Sequence, residues 1–210
     1  MIQVICSTWV QARPTTEPCP PTGTACGVDT VSAFFDAPEY LARLEKRTPA
    51  ASRESLAGLA CLAALLRTYG LTPPVRLARD DAGRPYLPDF QNLDFNITHT
   101  ENVAFCILSD EGRVGIDAEY LREMKDAPKI AARFFSAGER QMEFFTAWTR
   151  KEAYLKYLGK GFSVPGGIAA IDTTTQKGVA FHTRVLAGCR VTVCTGAGKE
   201  VGWAGRSDNE

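Results

Sequence analysis

The sequence predicts an α+β fold of antiparallel sheets and packed helices, and three observations carry that prediction. Residues 49–67 place leucine and alanine at helical spacing, which is typical of a helix with one buried face. Strand-like segments follow one another across short turns, which indicates an antiparallel meander and, further on, a β-hairpin. These segments are residues 94–99, 102–109 and 113–118 for the meander, and residues 178–186 and 189–195 for the hairpin.

The first part of the chain is expected to contain a strand, a long loop and a short helix. Residues 1–10 are rich in isoleucine and valine, which favour strands. Residues 11–30 contain repeated proline and glycine and are expected to form a loop. Asp36 followed by Pro38 is typical of a helix start, because a side-chain acceptor at the N-cap and a nearby proline both suit a helix N-terminus.

The middle of the chain is expected to contain a long helix and a short strand. Thr48 followed by Pro49 repeats the pattern of a capped helix start. This helix is expected to run through Arg67 and to stop at Gly70. Consecutive prolines then lead to a short strand at residues 75–78.

Two further helices are expected between the meander and the hairpin. The first spans residues 127–135. Ser136 is expected to begin the second, which runs to Leu158 and ends at Gly159, because glycine readily adopts the left-handed conformation that ends a helix. The last residues are dominated by glycine, serine and charge and are expected to fray.

Composition limits the class of function. The chain has 210 residues, 45% of them hydrophobic, which is enough for an ample core. Its 24 basic and 24 acidic residues cancel, so no overall field draws it to nucleic acid or to a membrane. The seven cysteines include no C-x-x-C pair, and no apolar run reaches the roughly 18 residues of a membrane span. We therefore expect a cytoplasmic protein that binds neither nucleic acid nor membrane.

Four charged residues in two segments are expected to share one site. Asp117 and Glu119 are two apart in a strand-like segment, so both point to one face. Glu152 and Lys156 are four apart in a helical segment and also share a face. If strand and helix pack together, three carboxylates and one ammonium group can hold a divalent cation against a phosphate. The structural alternatives are a solvated strand face and an ordinary surface ion pair.

The same segments carry a family resemblance. The chain resembles the 4′-phosphopantetheinyl transferases, and its length resembles that of their larger, surfactin-type class. The motifs that match in order are Asn-Ile-Thr-His at 96–99, Gly-Ile-Asp-Ala-Glu at 115–119, Arg-Phe-Phe-Ser at 133–136, Trp-Thr-Arg-Lys-Glu-Ala-Tyr-Leu-Lys at 148–156 and Gly-Lys-Gly-Phe at 159–162.

The resemblance implies a fold of two similar halves related by a pseudo-twofold axis. Each half is expected to be an antiparallel sheet with packed helices. The N-terminal half is expected at residues 1–105 and the C-terminal half, with the metal and catalytic residues, at 106–205, followed by a frayed tail at 206–210.

The resemblance also implies an activity and its catalytic residues. The activity is Mg²⁺-dependent transfer of 4′-phosphopantetheine from coenzyme A to a serine of an apo acyl, peptidyl or aryl carrier protein, with release of 3′,5′-ADP; Mn²⁺ is an alternative cation. Asp117, Glu119 and Glu152 resemble the family's metal ligands. Glu152 also resembles its catalytic base, and Lys156 resembles the lysine that faces the pyrophosphate.

Coenzyme A contacts are implied for a second group of residues. Arg84, Thr98 and His99, together with Lys156, resemble the residues that contact the phosphates of coenzyme A. Thr98 stands where the family pattern has serine. Arg53 is a further candidate for a phosphate contact, with Arg47 and Arg43 as alternatives.

Two polar residues near the motifs, Glu139 and Lys151, keep two interpretations each. Glu139 follows Ser136 with the spacing of a capping box, and a glutamate at the matching position in the family lies near the active site. Lys151 is either solvated or, like Lys160, a local contact for an acidic carrier protein. The helix after Ser136 is a candidate for the docking surface of that carrier.

Two alternatives to the transferase remain at this stage. One is a non-enzymatic descendant on the same scaffold that binds coenzyme A or a nucleotide or regulates a partner. The other is a structural module with a surface cluster of carboxylates. The intact set of Asp117, Glu119, Glu152 and Lys156 favours the enzyme, which we expect to act as a monomer.

Overall fold

The computed structural model describes residues 1–8, 28–159 and 164–204. Within these ranges the chain forms eleven strands and five α-helices, with 3-10 turns at Glu139–Gln141 and Gly167–Ala170. In chain order the elements are β1 (Ile2–Thr8), α1 (Val28–Phe34), β2 (Phe35–Asp36), α2 (Pro38–Glu45), α3 (Pro49–Thr68), β3 (Val75–Arg76), β4 (Ala78–Arg79), β5 (Pro85–Tyr86), β6 (Asp94–Thr100), β7 (Val103–Ser109), β8 (Gly115–Tyr120), α4 (Ala127–Phe134), α5 (Phe144–Leu158), β9 (Val179–Leu186), β10 (Cys189–Gly196) and β11 (Gly202–Ala204).

Two sheets carry the architecture, which confirms a mixed fold of helices and sheets. The first has the strand order β11–β1–β7–β6, and the second has the order β8–β10–β9. Two short pairs, β2 with β3 and β4 with β5, lie outside these sheets. Neighbouring strands in both main sheets are antiparallel, except that β1 and β11 are parallel. No helix in the described ranges is long and apolar enough to cross a membrane.

The expected meander is correct for its first two strands and wrong for the third. β6 and β7 pair as a hairpin, whereas β8 leaves that sheet and pairs with β10. The reason is that both edges of β7 are already occupied, by β6 on one side and by β1 on the other. The expected C-terminal hairpin of β9 and β10 is confirmed, with Ala187 and Gly188 at its turn.

Alternate residues of β7 reach two hydrophobic cores. Ala104, Cys106 and Leu108 pack into the core formed with α1 and α3, and the intervening residues Phe105 and Ile107 pack into the core formed with β8 and β10. Every residue of β7 is buried. The first sheet is therefore covered by helices on one face and by the second sheet on the other.

The later helices follow the sequence prediction closely, and the first part of the chain needs two corrections. α3 begins after Thr48, whose Oγ1 accepts a hydrogen bond from the Ala51 N–H at 3.3 Å. Asp36 is not a cap: it belongs to β2, where its backbone pairs with β3, and Ala37 occupies the N-cap position of α2. The expected loop at 11–30 lies outside the described residues up to residue 27, and its last three residues are instead helical, because α1 begins at Val28.

The long helix predicted from Ser136 is also divided. A 3-10 turn at Glu139–Gln141 comes first, and α5 begins only at Phe144. Glu143 causes the restart: its carboxylate accepts hydrogen bonds of 2.8 Å from the Phe145 and Thr146 N–H groups. These are two of the amides that a helix N-terminus leaves without an internal partner. The predicted end of the helix is confirmed, because Gly159 is left-handed with φ 67°.

Side chains of β6 join the two sheets. Asp94 Oδ2 accepts a hydrogen bond from the Val114 N–H at 2.8 Å, and Asn96 Oδ1 accepts one from the Ile116 N–H at 3.1 Å. Thr100 Oγ1 accepts a third from the Tyr120 N–H at 3.3 Å. Three of the four alternate side chains of β6 thus take the place of a backbone partner, and this fixes β8 against β6 without a shared ladder.

Candidate active site

α5 packs directly on the face of β8 that carries the predicted carboxylates. Val114, Ile116 and Ala118 point into the core, so the alternate residues, including Asp117 and Glu119, face α5. Gly115 permits the close approach, because a Cβ at this position would lie 2.1 Å from the Ala153 carbonyl oxygen. The predicted convergence of the strand and the helix is therefore present.

Asp117, Lys156 and Thr98 form a closed triangle of polar contacts between α5, β8 and β6. The Lys156 ammonium donates to Asp117 Oδ1 at 2.7 Å and to Thr98 Oγ1 at 3.0 Å. The Thr98 hydroxyl donates to the same Asp117 oxygen at 3.2 Å. The Asp117 and Lys156 side chains are 9% and 29% exposed. This pair is thus partly desolvated, so removal of one partner would leave the other charge without compensation.

Glu119 and Glu152 complete the group of carboxylates. Burial, reinforced by the charge of Asp117, raises the pKa of Glu119 and of Glu152 above the ordinary value for glutamate. Arg122 Nη1 lies 3.3 Å from the Glu119 carboxylate and partly offsets this effect. A raised pKa makes a carboxylate a better proton acceptor near neutral pH, and Glu152 therefore suits a general base.

The donor set fits a hard divalent cation by its chemistry but is not a ready-made metal site. Mutual repulsion among Asp117, Glu119 and Glu152 would be relieved by a cation between them. Among the residues that the structure describes, however, no three His, Cys, Asp or Glu side chains lie close enough together to hold a metal ion. Lys156 is the group in contact with Asp117. Binding of a cation would require these side chains to move closer together.

A cleft of about 250 Å³ opens beside these residues. Its wall combines the catalytic candidates of α5 with the β4–β5 loop and β6, which belong to the earlier part of the chain. The residues that line the cleft are Ala82, Gly83, Arg84, Pro85, Asn96, Glu152, Leu155, Lys156 and Gly159.

Arg84 lies in the wall of the cleft and is held by protein acceptors. Its Nη2 donates to the Asp94 carboxylate at 2.8 Å and to the Val114 carbonyl at 3.0 Å. Its Nη1 donates to the carbonyl oxygen of Lys156. The side chain is only 8% exposed. Arg84 thus ties β6 to the start of β8 and to α5, and its predicted phosphate contact stays a prediction.

His99 points away from Thr98, towards α3. Its Nδ1 lies 3.4 Å from Glu54 Oε2. Burial lowers the pKa of His99, as do the charges of Lys156 and Arg47, while Glu54 opposes them. Of the three arginine candidates, Arg47 is the one whose charge contributes to lowering the pKa of His99. Arg43 lines a second cleft of about 470 Å³ beside α2, and Arg53 is exposed on α3.

Glu139 and Lys151 form an ion pair with both side chains 0% exposed and 2.9 Å between Lys151 Nζ and Glu139 Oε2. Glu139 also completes the predicted capping box, because it accepts from the Ser136 N–H at 2.8 Å while its own N–H donates to Ser136 Oγ. Burial by itself raises the pKa of Glu139, but hydrogen bonds from Lys151 and Thr173 prevail and lower it.

The buried pair corrects the interpretation of Lys151. The sequence left it as a solvated lysine or a contact for a carrier protein, and a fully buried ammonium group serves neither purpose. Lys151 also donates to the carbonyl oxygens of Ile168 and Ile171, so it fastens α5 to the following loop. Lys160, the other carrier-contact candidate, lies outside the described residues.

Sequence reasoning missed the roles of Asp94 and Asn96. Both belong to β6, the strand that also carries the predicted phosphate-binding residues Thr98 and His99, and both hold the chain at β8 in place. A signal was available: residues 94, 96, 98 and 100 are all polar, whereas 95 and 97 are apolar. A polar stripe with a period of two, on a strand next to a buried strand, indicates side chains that bond to a neighbouring element.

Comparisons with known proteins agree with this geometry. Residues 113–192 match the family model of the 4′-phosphopantetheinyl transferase superfamily. The chain is similar to the 4′-phosphopantetheinyl transferase HetI from Nostoc sp., with 36% identity over 61% of each chain. It is also similar to AcpT from Salmonella typhi, with 30% identity over 62% of this chain and 72% of that protein, and to Sfp from Bacillus subtilis, with 31% identity over 43% of this chain and 44% of that protein. The chain thus spans about three fifths of the length of the Nostoc protein.

Proposed function

The chain belongs to the 4′-phosphopantetheinyl transferase superfamily, and from this premise we propose that it transfers 4′-phosphopantetheine from coenzyme A to a serine hydroxyl of an apo carrier protein. The observation that carries the proposal is the convergence of β8 and α5. Lys156 contacts Asp117, and Glu152 lines the same cleft as Lys156. Such a group suits phosphoryl transfer, which depends on positioning and electrostatics.

Coenzyme A would lie along the cleft with its pyrophosphate beside Lys156. An ammonium group is a compact positive charge and can follow a phosphate oxygen as charge develops on it. Thr98 supplies a hydroxyl beside that ammonium group. His99 and Arg47 offer positive or protonatable groups for the 3′-phosphate, because imidazole donates two hydrogen bonds when it is protonated.

Mg²⁺, or Mn²⁺ in its place, would be held by Asp117, Glu119 and Glu152 and would neutralise pyrophosphate oxygens. Glu152 takes the proton of the serine hydroxyl, directly or through one water molecule. The serine oxygen then forms a bond to the β-phosphorus, and the bond from that phosphorus to the oxygen bridging the two phosphates breaks. The departing 3′,5′-ADP keeps the electron pair, and Lys156 stabilises its charge.

The partner is an apo acyl or peptidyl carrier protein, and we propose that the transferase works as a monomer. We also propose that the chain is organised as two similar halves, with a boundary close to residues 105 and 106, so that coenzyme A binds between them. The cleft supports this arrangement, because its wall combines residues 82–85 and Asn96 with residues of α5.

Intact-mass measurement of the carrier tests the proposal. The protein is mixed with coenzyme A, Mg²⁺ and an apo carrier, and we expect the carrier to gain the mass of one phosphopantetheine group while 3′,5′-ADP accumulates. A carrier whose acceptor serine is replaced by alanine is the matched control and should gain nothing. An unchanged apo carrier, across acyl and peptidyl carriers alike, would exclude the transferase and favour a binding or regulatory protein.

A further inference from the structure

Lys156 occupies part of the proposed metal site in the ligand-free protein. Lys156 Nζ lies 2.7 Å from Asp117 Oδ1, so it stands beside the carboxylate where the cation is proposed to bind. The Thr98 hydroxyl contacts both partners, which orients the lysine towards Asp117 in the ligand-free protein. Asp117 is nearly buried, and a carboxylate in that environment requires a positive partner.

We propose that Lys156 is the counter-ion of Asp117 in the ligand-free protein and that coenzyme A frees the metal site by drawing Lys156 onto its pyrophosphate. The inference rests on the proposed function and deepens it. A lysine and a divalent cation compete for the same carboxylate oxygen, so each weakens the binding of the other. When phosphate oxygens replace Asp117 as the partner of the ammonium group, Asp117 becomes available to the cation.

The exposure of the two side chains indicates which of them moves in this exchange. Lys156 lines the cleft, and its side chain is 29% exposed, so its head can turn towards a ligand there. Asp117 is much less exposed and lies on a strand whose backbone is fixed from both sides, by β10 and by the side chains of β6. The mobile member of the pair is therefore the lysine. The expected consequence is that coenzyme A and the cation bind cooperatively.

Mn²⁺ binding, followed by electron paramagnetic resonance of the free ion, tests this proposal without any catalytic turnover. Wild type, Lys156→Met and Lys156→Gln are titrated without coenzyme A. We expect both variants to bind Mn²⁺ more tightly by about tenfold, as for a competent state populated to roughly a tenth in wild type. Lys156→Gln keeps a hydrogen-bond donor for Thr98 and is included in case Lys156→Met does not fold. Circular dichroism checks the folding of both variants.

Lys177→Met is the matched control. Lys177 is an exposed lysine, so its loss changes the net charge equally without vacating Asp117. We expect wild-type Mn²⁺ affinity for this variant. In wild type, coenzyme A should strengthen Mn²⁺ binding more than it does in Lys156→Met.

Folded Lys156 variants that bind Mn²⁺ no more tightly than wild type would overturn the proposal, as would equal tightening in Lys177→Met. Failure of the proposed function would give a different result, because wild type would then leave an apo carrier unmodified whatever the Mn²⁺ titrations show.

Discussion

At the scale of single residues, the candidate site brings carboxylates of like charge together in different environments. Burial and the charge of Asp117 raise the pKa of Glu152, whereas Asp117 has the Lys156 ammonium group beside it. The two carboxylates therefore have different environments, which suits the different roles proposed for them, Glu152 as a proton acceptor and Asp117 as the partner of a positive charge.

Glu152→Gln should raise the melting temperature in the presence of a chelator and reduce transfer by orders of magnitude. A carboxyl group whose pKa is raised on folding stabilises the protein only below its unfolded pKa, near 4.5, and that contribution is lost as the pH rises through the folded pKa. The thermal gain of the variant should therefore be largest at neutral pH and vanish towards pH 4.5. Glu123→Gln, at an exposed position, is the control for both measurements. A gain that persists unchanged at low pH would contradict the assignment.

His99→Gln should weaken the binding of coenzyme A by about tenfold, the effect of losing one hydrogen bond to a charged group. The binding of dephospho-coenzyme A should be unaffected. The reason is that only coenzyme A carries the 3′-phosphate assigned to His99. Calorimetric titration of both ligands measures the difference. His182, the other histidine of the chain, bonds to Thr195 in the second sheet, and His182→Gln should bind both ligands as wild type does. Equal losses of affinity for the two ligands in His99→Gln would show that His99 does not contact the 3′-phosphate.

At the scale of elements, the geometry is set by how α5 is fixed on three sides. Gly115 brings its backbone against β8, the Glu139–Lys151 pair fastens it to neighbouring turns, and Arg84 holds the carbonyl oxygen of Lys156. Each contact acts on a different part of the helix. Glu152 and Lys156 therefore point into the cleft from a rigid support.

Gly115→Ala should separate α5 from β8 and cost about 1–3 kcal/mol of stability, as overpacking generally does. The added Cβ would lie 2.4 Å from the Tyr157 nitrogen as well, and main-chain atoms cannot turn aside. Urea denaturation and the transfer rate should both report the loss. Gly196→Ala is the control, because a Cβ there meets nothing within 4 Å. A Gly115→Ala protein as stable and active as Gly196→Ala would show that the close approach is unnecessary.

Lys151→Met should destabilise the protein by about 3–5 kcal/mol, because it leaves Glu139 buried and charged without its partner. The double variant Glu139→Gln with Lys151→Met should recover much of that loss, since Gln still completes the capping box. Denaturation of wild type, the single variants Glu139→Gln and Lys151→Met, and the double variant gives the coupling energy of the pair. Additive losses in the double variant would mean that the pair is not coupled.

Much of this arrangement could be predicted from local sequence, because the informative patterns are short. Periods of two and four brought Asp117, Glu119, Glu152 and Lys156 to facing surfaces, and Thr48 identified the start of α3. The partner of β8 and the burial of Lys151 could not be predicted in this way. Both depend on contacts between distant segments, such as β8 with β10, that leave no local periodicity.

At the scale of the whole molecule, two sheets are joined by side chains at the position of the cleft. Asp94, Asn96 and Thr100 of β6 hold the backbone of β8, and Thr98 between them contacts the metal-binding candidate Asp117. Residues of the first sheet thus position residues of the second. The cleft exists because these two parts of the chain are packed together.

The most direct test of the central claim is the intact mass of an apo carrier after incubation with coenzyme A, Mg²⁺ and the Asp117→Asn variant. Asparagine keeps the shape of the side chain and removes the charge that Lys156 and the cation require, so the carrier should stay unmodified while wild type converts it fully. Asp81→Asn, at an exposed position, should convert it as wild type does. A folded Asp117→Asn protein that modifies the carrier at the wild-type rate would contradict the assignment of this cleft as the transferase site.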